Sequence, residues 1–185
     1  MIKGASLFLI IFLAASAVYC DNPAPLQLTV KADWKEYRLN DTIRITFIFK
    51  NVSDDDVSFI PFPKGYACRK NWIEVRDARG ILMRGACYGK QKRRAFTKSD
   101  VVTLKPGHEY FTDIAGRVAK YKLLCLDLED GSIIFLDDGY GRYNIESALK
   151  FNSNRYRDGR RKLTDKSLWL GDIYSNRVSI DIKPF

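Results

Sequence analysis

From Leu26 to Ser53 apolar and polar side chains alternate in two blocks separated by a polar turn. In the second block Ile43, Ile45, Phe47 and Phe49 fall on one side, and Thr42, Arg44, Thr46 and Lys50 largely on the other. A period of two in β-branched and aromatic residues predicts a half-buried strand. The block beginning at Leu26 predicts its partner, with the chain reversed at Leu39-Asn40-Asp41. Similar short blocks follow. Val57–Phe62 is broken by Pro61 and bounded by Pro63, which belong at a strand end or sheet edge. Trp72–Arg76 and Ile81–Arg84 flank Asp77-Ala78-Arg79-Gly80 as a hairpin would. Val101–Leu104 leads into Lys105-Pro106-Gly107, which places proline and glycine where a type II turn wants them, and then into Glu109–Ile114. Ser132–Leu136, Gly139–Ile145 and Arg177–Ile182 complete the strand set. The spacing across Val118–Leu128 is mixed and fits either a short helix or a strand, while the polar, basic stretch Asn152–Asp165 predicts a long mobile loop. Short strands at turn-punctuated intervals, few helices and no repeat predict an all-β sandwich of about seven to nine strands.

The first residues stand apart from this pattern. Met1-Ile2-Lys3-Gly4 is a short positive start, followed by an apolar run from Ala5 to Val18 and small residues at Ala14, Ala15, Ser16 and Ala17. This is the pattern of a cleaved secretory signal peptide over residues 1–20, with cleavage near residues 17–20. The run falls short of the roughly 20 apolar residues that a membrane span needs, and no later run reaches that length. Cleavage after Ala17 keeps Cys20 and cleavage after Cys20 discards it. Lipidation of Cys20 ranks last, because Tyr19 replaces the small residue wanted before a lipid-bearing cysteine. Residues 21–185 are then read as one domain with its own core, exported to a periplasmic or extracellular space.

Export changes the meaning of the four cysteines. Cys68 and Cys87 flank the predicted hairpin in polar surroundings and are the favoured disulfide pair. Cys125 lies in the apolar run Leu123–Leu126 and either pairs with a retained Cys20 or packs as a buried thiol. Metal binding is disfavoured by the absence of CxxC or HxxxH spacing and by the single histidine, His108. Asn51–Asp56 carries three consecutive aspartates, but adjacent carboxylates cannot all point inward, so it reads as a solvated turn. Asn40-Asp41-Thr42 and Asn51-Val52-Ser53 are N-glycosylation sequons in predicted turns.

Nothing in the chain points to catalysis. His108 follows a Pro-Gly turn, no serine sits in a Gly-x-Ser-x-Gly elbow, and Asp127, Glu129, Asp137 and Asp138 read as solvated turn residues. Gly139-Tyr140-Gly141 lacks the following helix and lysine of a phosphate-binding loop. No cofactor is expected. The net charge of +9 is carried in part by two clusters. One is Lys90, Lys92, Arg93 and Arg94; the other is Arg155, Arg157, Arg160, Arg161 and Lys162, with Tyr156 among them. Brought to one edge they make a cationic patch for an acidic protein or polyanion; left apart they are two solvated loops.

The succession from Tyr37 through Leu39-Asn40-Asp41, the alternating strand and Asn51 to Ser53 is followed by Leu104-Lys105-Pro106-Gly107-His108-Glu109 and Gly141-Arg142-Tyr143-Asn144-Ile145. In that order these motifs resemble the immunoglobulin-like domains of bacterial secreted proteins, and are similar to the BsuPI-type proteinase inhibitor domain and to the immunoglobulin-like propeptides of some secreted metallopeptidases. The resemblance covers roughly Leu26 to Ile145 plus the last strand. Its motifs fix turns and core tyrosines, so it implies an immunoglobulin-like sandwich more firmly than any activity. The Cys68/Cys87 pair, the basic insert and Asn152–Asp165 depart from the plain pattern. The expected function is an exported, non-catalytic protein-binding module, an inhibitor or immunity factor, with an envelope or surface module that binds polyanions through its basic loops as the alternative.

Overall fold

The structure, a computed structural model, describes residues 24–61, 73–87, 96–129, 131–137, 139–151, 155–158 and 161–184, apart from the side chains of residues 87, 156–158 and 162. The opening pair is β1 (Leu26–Ala32) and β3 (Thr42–Asn51), antiparallel with Val30 opposite Phe47. Between them β2 (Glu36–Tyr37) leaves for the opposite sheet, where it runs parallel to β16 (Val178–Ile182). β3 then pairs with β8 (Glu109–Lys120), β8 with β9 (Leu124–Leu128), β9 with β10 (Ser132–Phe135) and β10 with β6 (Gly85–Cys87), closing a six-stranded sheet. The facing four-stranded sheet takes β2, β16, β11 (Gly141–Glu146) and β5 (Glu74–Asp77) in that order. The architecture is an all-β sandwich, as the alternation predicts.

Inward residues of both sheets fill one core. Ile43, Ile45, Phe47 and Phe49 are fully buried against Tyr37, Tyr143, Ile145 and Ile180 from the other sheet. Burying aliphatic and aromatic side chains of this kind stabilises by about 1.5–3 kcal/mol each, which makes these strands the principal source of stability. One end of the sandwich is closed by two small sheets. One pairs β4 (Val57–Phe59) with β7 (Val102–Leu104), and the other pairs β12 (Ala148–Phe151) with β15 (Gly171–Tyr174). Phe49, Phe59, Tyr110, Phe151 and Trp169 pack there in tilted and edge-on pairs with ring centroids 5.2–6.5 Å apart. That end is an aromatic plug, favoured by the ring quadrupoles.

Several sequence expectations are corrected in detail. Val118–Leu128, ambiguous by spacing, is the end of β8 and the whole of β9. The predicted hairpin around Asp77–Gly80 forms its turn, with the Asp77 carboxylate accepting from the backbone N–H groups of Arg79 and Ile81 at 2.9 and 2.7 Å. Its return arm keeps only a bridge from Leu82 to Arg76 before crossing to the other sheet as β6. The expected loop Asn152–Asp165 contains a ribbon, β13 (Arg155–Asp158) antiparallel to β14 (Arg161–Thr164). It lies outside both large sheets, and its sequence carries no apolar alternation to read. Strand segments exceed the predicted seven to nine because, among the described residues, three two-stranded sheets stand beside the six- and four-stranded ones.

Turn chemistry follows the sequence closely. Gly107 has φ 75° and His108 N–H donates to Lys105 C=O at 3.0 Å, as the Pro-Gly turn requires. The Tyr143 hydroxyl donates to Gly139 C=O at 2.7 Å, a tie from a core tyrosine back to the preceding turn of the kind that pins sandwich corners. Cys125 is a free thiol with no exposed surface. It packs with Ala119, Ile133 and Phe135 on the outer face of the large sheet, and burial, then the charge of Asp127, pushes its pKa up. Of the readings left open for it, the structure carries the buried thiol. Cys68 and the Cys87 side chain lie outside the described residues, as do residues 1–20, expected from the sequence to be a signal peptide. Among the described residues no helix is long and apolar enough to cross a membrane.

The two sequons are not equivalent. Asn40 is exposed, in the left-handed region at φ 72°. Asn51 is fully buried, and its amide donates to Asp55 C=O at 2.7 Å and Leu104 C=O at 2.8 Å. A glycan on that nitrogen is incompatible with the fold. Secreted from a eukaryotic host, the folded protein is expected to carry its glycan at Asn40 alone; site mapping that finds occupied Asn51 in the folded fraction contradicts this.

Candidate functional site

Two surfaces have the chemistry of binding sites. The first is the β13–β14 ribbon. Pairing sets Arg155 opposite Thr164, Tyr156 opposite Leu163, Arg157 opposite Lys162 and Asp158 opposite Arg161. Four of the five basic residues of the second cluster thus fall among the eight paired positions of one narrow ribbon. Arg155, Arg161 and Leu163 are exposed. Arg160 lies outside the described residues.

At the ribbon's base Asp165 accepts from the Ser167 backbone N–H at 2.9 Å and from its hydroxyl at 2.5 Å. These bonds, with the charge of Lys98 nearby, hold its carboxyl below the usual range. The 3-10 turn Lys98–Asp100 lies beside β13, and the Asp100 carboxylate ties it by accepting from the Thr97 N–H at 2.7 Å and hydroxyl at 2.8 Å. Lys90, Lys92, Arg93 and Arg94 lie outside the described residues. The described chain that follows them, from Phe96, runs directly to the base of the ribbon.

The second surface was not foreseen from the sequence. Where the edge strand β1 and strand β16 diverge they leave an open groove of about 560 Å³. Its walls are Thr29–Ala32, Trp34 and Lys35 on one side, and Arg142, Asn176–Ser179 and Asp181 on the other. Trp34 is 68% exposed, yet its backbone is fixed. The buried Tyr37 hydroxyl accepts from Trp34 N–H at 2.9 Å and donates to Asp33 at 2.5 Å. Burial first, then this bond to Asp33, drives the Tyr37 pKa well above the ordinary phenol value. The same Asp33 oxygen accepts from Arg44 N–H at 3.0 Å, so a tyrosine-centred knot carries the exposed indole.

Across the groove Arg142 grips Asp181 with two bonds of 3.0 and 3.2 Å. That bond holds the Asp181 carboxyl below its ordinary value, and Lys183 adds to the effect. Arg177 is paired with Glu146. Lys31 and Lys35 are exposed and face no carboxylate within ion-pair distance among the described residues. The floor is closed by Asn176, whose amide oxygen accepts from Val30 N–H at 2.8 Å and whose nitrogen donates to Val30 C=O at 3.1 Å. The signal missed in the sequence was Asp33-Trp34-Lys35 itself: a tryptophan between charged residues in a turn, where an apolar ring has no core to enter.

The residues weighed for catalysis have structural occupations. Asp127 accepts from the Tyr121 hydroxyl at 2.6 Å and faces Arg117, and Asp137 is held by Arg84 at 3.0 Å. Glu129 is exposed, His108 sits on its turn, and Asp138 lies outside the described residues. Asp54, Asp55 and Asp56 are exposed, and no cluster of three or more metal-ligating side chains occurs among the described residues. No family model matches the chain, and no curated protein is similar to it at a significant level.

Proposed function

We propose that this is an exported, non-catalytic binding module that grips an acidic partner protein through the β13–β14 ribbon. The observation that carries the reading is the position of that ribbon. It is a two-stranded unit outside both large sheets, dense in arginine and lysine, on a chain of net charge +9. An isolated ribbon contributes little to a fold, so its basic composition is better explained by recognition than by stability. The reading includes removal of the leader, an immunoglobulin-like descent of the sandwich, a Cys68–Cys87 bridge in the oxidising compartment, and an inhibitor or immunity role. The leader pattern is its support for export, and the Tyr143 tie and Pro-Gly turn are its support for the immunoglobulin-like type.

The test is capture of partners from the source organism's envelope and secreted fraction, washed at low and high salt. A single protein retained through the high-salt wash, and lost when Arg155→Glu and Arg161→Glu are combined, is the expected result. Charge reversal at two contact cations should cost at least about tenfold in affinity. Retention that is diffuse and released by salt supports polyanion binding instead, since counterion release makes that binding steeply salt-dependent. Retention unchanged by the double variant removes the ribbon from the account.

A further inference from the structure

We propose that the groove between β1 and β16 is a second binding site, for an acidic oligosaccharide: a carboxylated or sulfated pyranose chain with one ring stacked on Trp34 and its anionic groups paired with Lys31 and Lys35. The inference is independent of the ribbon and holds whether or not the ribbon has a protein partner.

Three features of the groove converge on this chemistry. The first is a ring in the wrong place for folding. An indole 68% exposed gains nothing from the core, while the Tyr37–Asp33 knot beneath it holds its backbone still. Presenting an apolar face on a hydrogen-bonded turn suits the C–H face of a sugar ring, because the backbone that carries it need not be ordered on binding. The second is charge. Arg142 and Arg177 are already engaged by Asp181 and Glu146, whereas Lys31 and Lys35 flank the indole without a carboxylate partner among the described residues. The groove is left with a local positive excess that an anion would neutralise. The third is orientation. The Arg142–Asp181 fork, the Thr29 hydroxyl and the Ser179 oxygen, whose hydrogen is donated to Asn144 at 2.7 Å, line the groove with polar groups for ring hydroxyls. Its volume falls within the range of about 300–1,000 Å³ typical of ligand clefts.

An acidic peptide is the competing occupant, and the fold disfavours it. A peptide would enter here by adding a strand to the β1 edge. That edge is already used: Leu28 is bridged by Ser175, and Asn176 occupies both the N–H and the C=O of Val30. With strand addition blocked at both positions, what remains open is the indole face and the two lysines.

The probes are a galacturonate tetramer, a heparin-derived tetrasaccharide, a neutral glucose tetramer and a hexaglutamate peptide. Each is titrated calorimetrically into the protein secreted from its own leader, at physiological salt. At least one acidic tetramer should bind and the neutral tetramer should not. Binding should fall at least about tenfold in Trp34→Ala and in the double variant Lys31→Glu/Lys35→Glu. It should persist in Arg155→Glu/Arg161→Glu, which separates this site from the ribbon. All the altered residues are exposed, and circular dichroism is the check that the variants fold. Binding of neither acidic tetramer overturns the proposal. So does loss in the ribbon variant with none in the groove variants, or hexaglutamate binding as tight as the sugars and equally sensitive to Trp34→Ala.

Discussion

Replacing Asn51 by aspartate should cost about 3–5 kcal/mol of stability at neutral pH. The side chain is fully buried at the end of β3 and acts as a four-way connector. Its nitrogen donates to Asp55 C=O and Leu104 C=O at 2.7 and 2.8 Å; its oxygen accepts from the Ser53 N–H at 2.9 Å and hydroxyl at 2.8 Å. Its own backbone pairs with the Pro-Gly turn through His108 C=O and Gly107 N–H, both at 3.0 Å. One residue thus holds together the loop of three aspartates, strand β7 and the turn into β8. A carboxylate keeps the two acceptor roles but loses both donors and sets a negative charge against two carbonyl oxygens. Asn51→Ala removes all four bonds without adding charge and should cost about 2–4 kcal/mol.

The two variants differ in pH dependence, and that identifies the mechanism. Burial among carbonyls raises the new carboxyl above its unfolded value of about 4, so Asn51→Asp is at its most stable below that value, where the protonated acid can still donate one bond. Its stability is lost as pH rises from there through the raised folded value. Asn51→Ala should show no such added slope relative to the unmodified protein. Denaturant midpoints measured from pH 3 to pH 8 decide it: parallel profiles for the two variants would mean that the cost is packing alone and that the amide hydrogen bonds are not what holds this corner.

This residue also shows where sequence reading reaches its limit. Ile43, Ile45, Phe47 and Phe49 announce their buried face, because the core imposes a period of two on them. The Pro-Gly turn and the Gly139–Tyr143 corner announce themselves through backbone chemistry. Asn51 continues the same inward register, two positions after Phe49, yet in sequence it reads as the start of a polar turn and as a glycosylation sequon. Its role depends on Leu104, more than fifty positions away along the chain, and no local pattern carries a partner at that distance. The ribbon was missed because residues 155–164 carry no apolar alternation that would mark a strand. Its cationic content was legible; that the cations would stand on paired strands outside both sheets was not. The groove lay further out of reach still, because its walls come from the β1–β2 corner and from Arg142 and the end of the chain, brought together by the parallel pairing of β2 with β16, the Leu28–Ser175 bridge and the Asn176–Val30 bonds.

Gly116→Ala should be the most damaging single-methyl change in the central sheet, at about 3 kcal/mol. Gly116 lies near the middle of β8, between Ile43 of β3 and Leu128 of β9, with its vacant Cβ position directed at the neighbouring strand. A methyl there would meet the Asp127 carbonyl oxygen at 2.6 Å, the Leu128 Cδ2 at 2.7 Å and the Leu128 Cα at 3.0 Å. Leu128 Cδ2 could rotate away, but two of the three atoms are backbone, so relief requires β9 to move off β8 and weaken the ladder that joins them. The Glu129 N–H to Ala115 C=O bond, 2.9 Å long, sits at the same point and should be lost with it. Gly107→Ala supplies the contrast. Its position is open, with nothing within 4 Å, and the only charge against a methyl is the positive φ of 75°, worth about 1–2 kcal/mol for an L-residue. The steric glycine should therefore outrank the conformational one in equilibrium denaturation, and hydrogen exchange should speed up along β9 in Gly116→Ala but not in Gly107→Ala. If the order is reversed, or if exchange in β9 stays slow, the close approach of β8 and β9 is softer than this packing implies. The sheet would then owe its order to the Phe47–Phe49 face rather than to the tight junction at its centre.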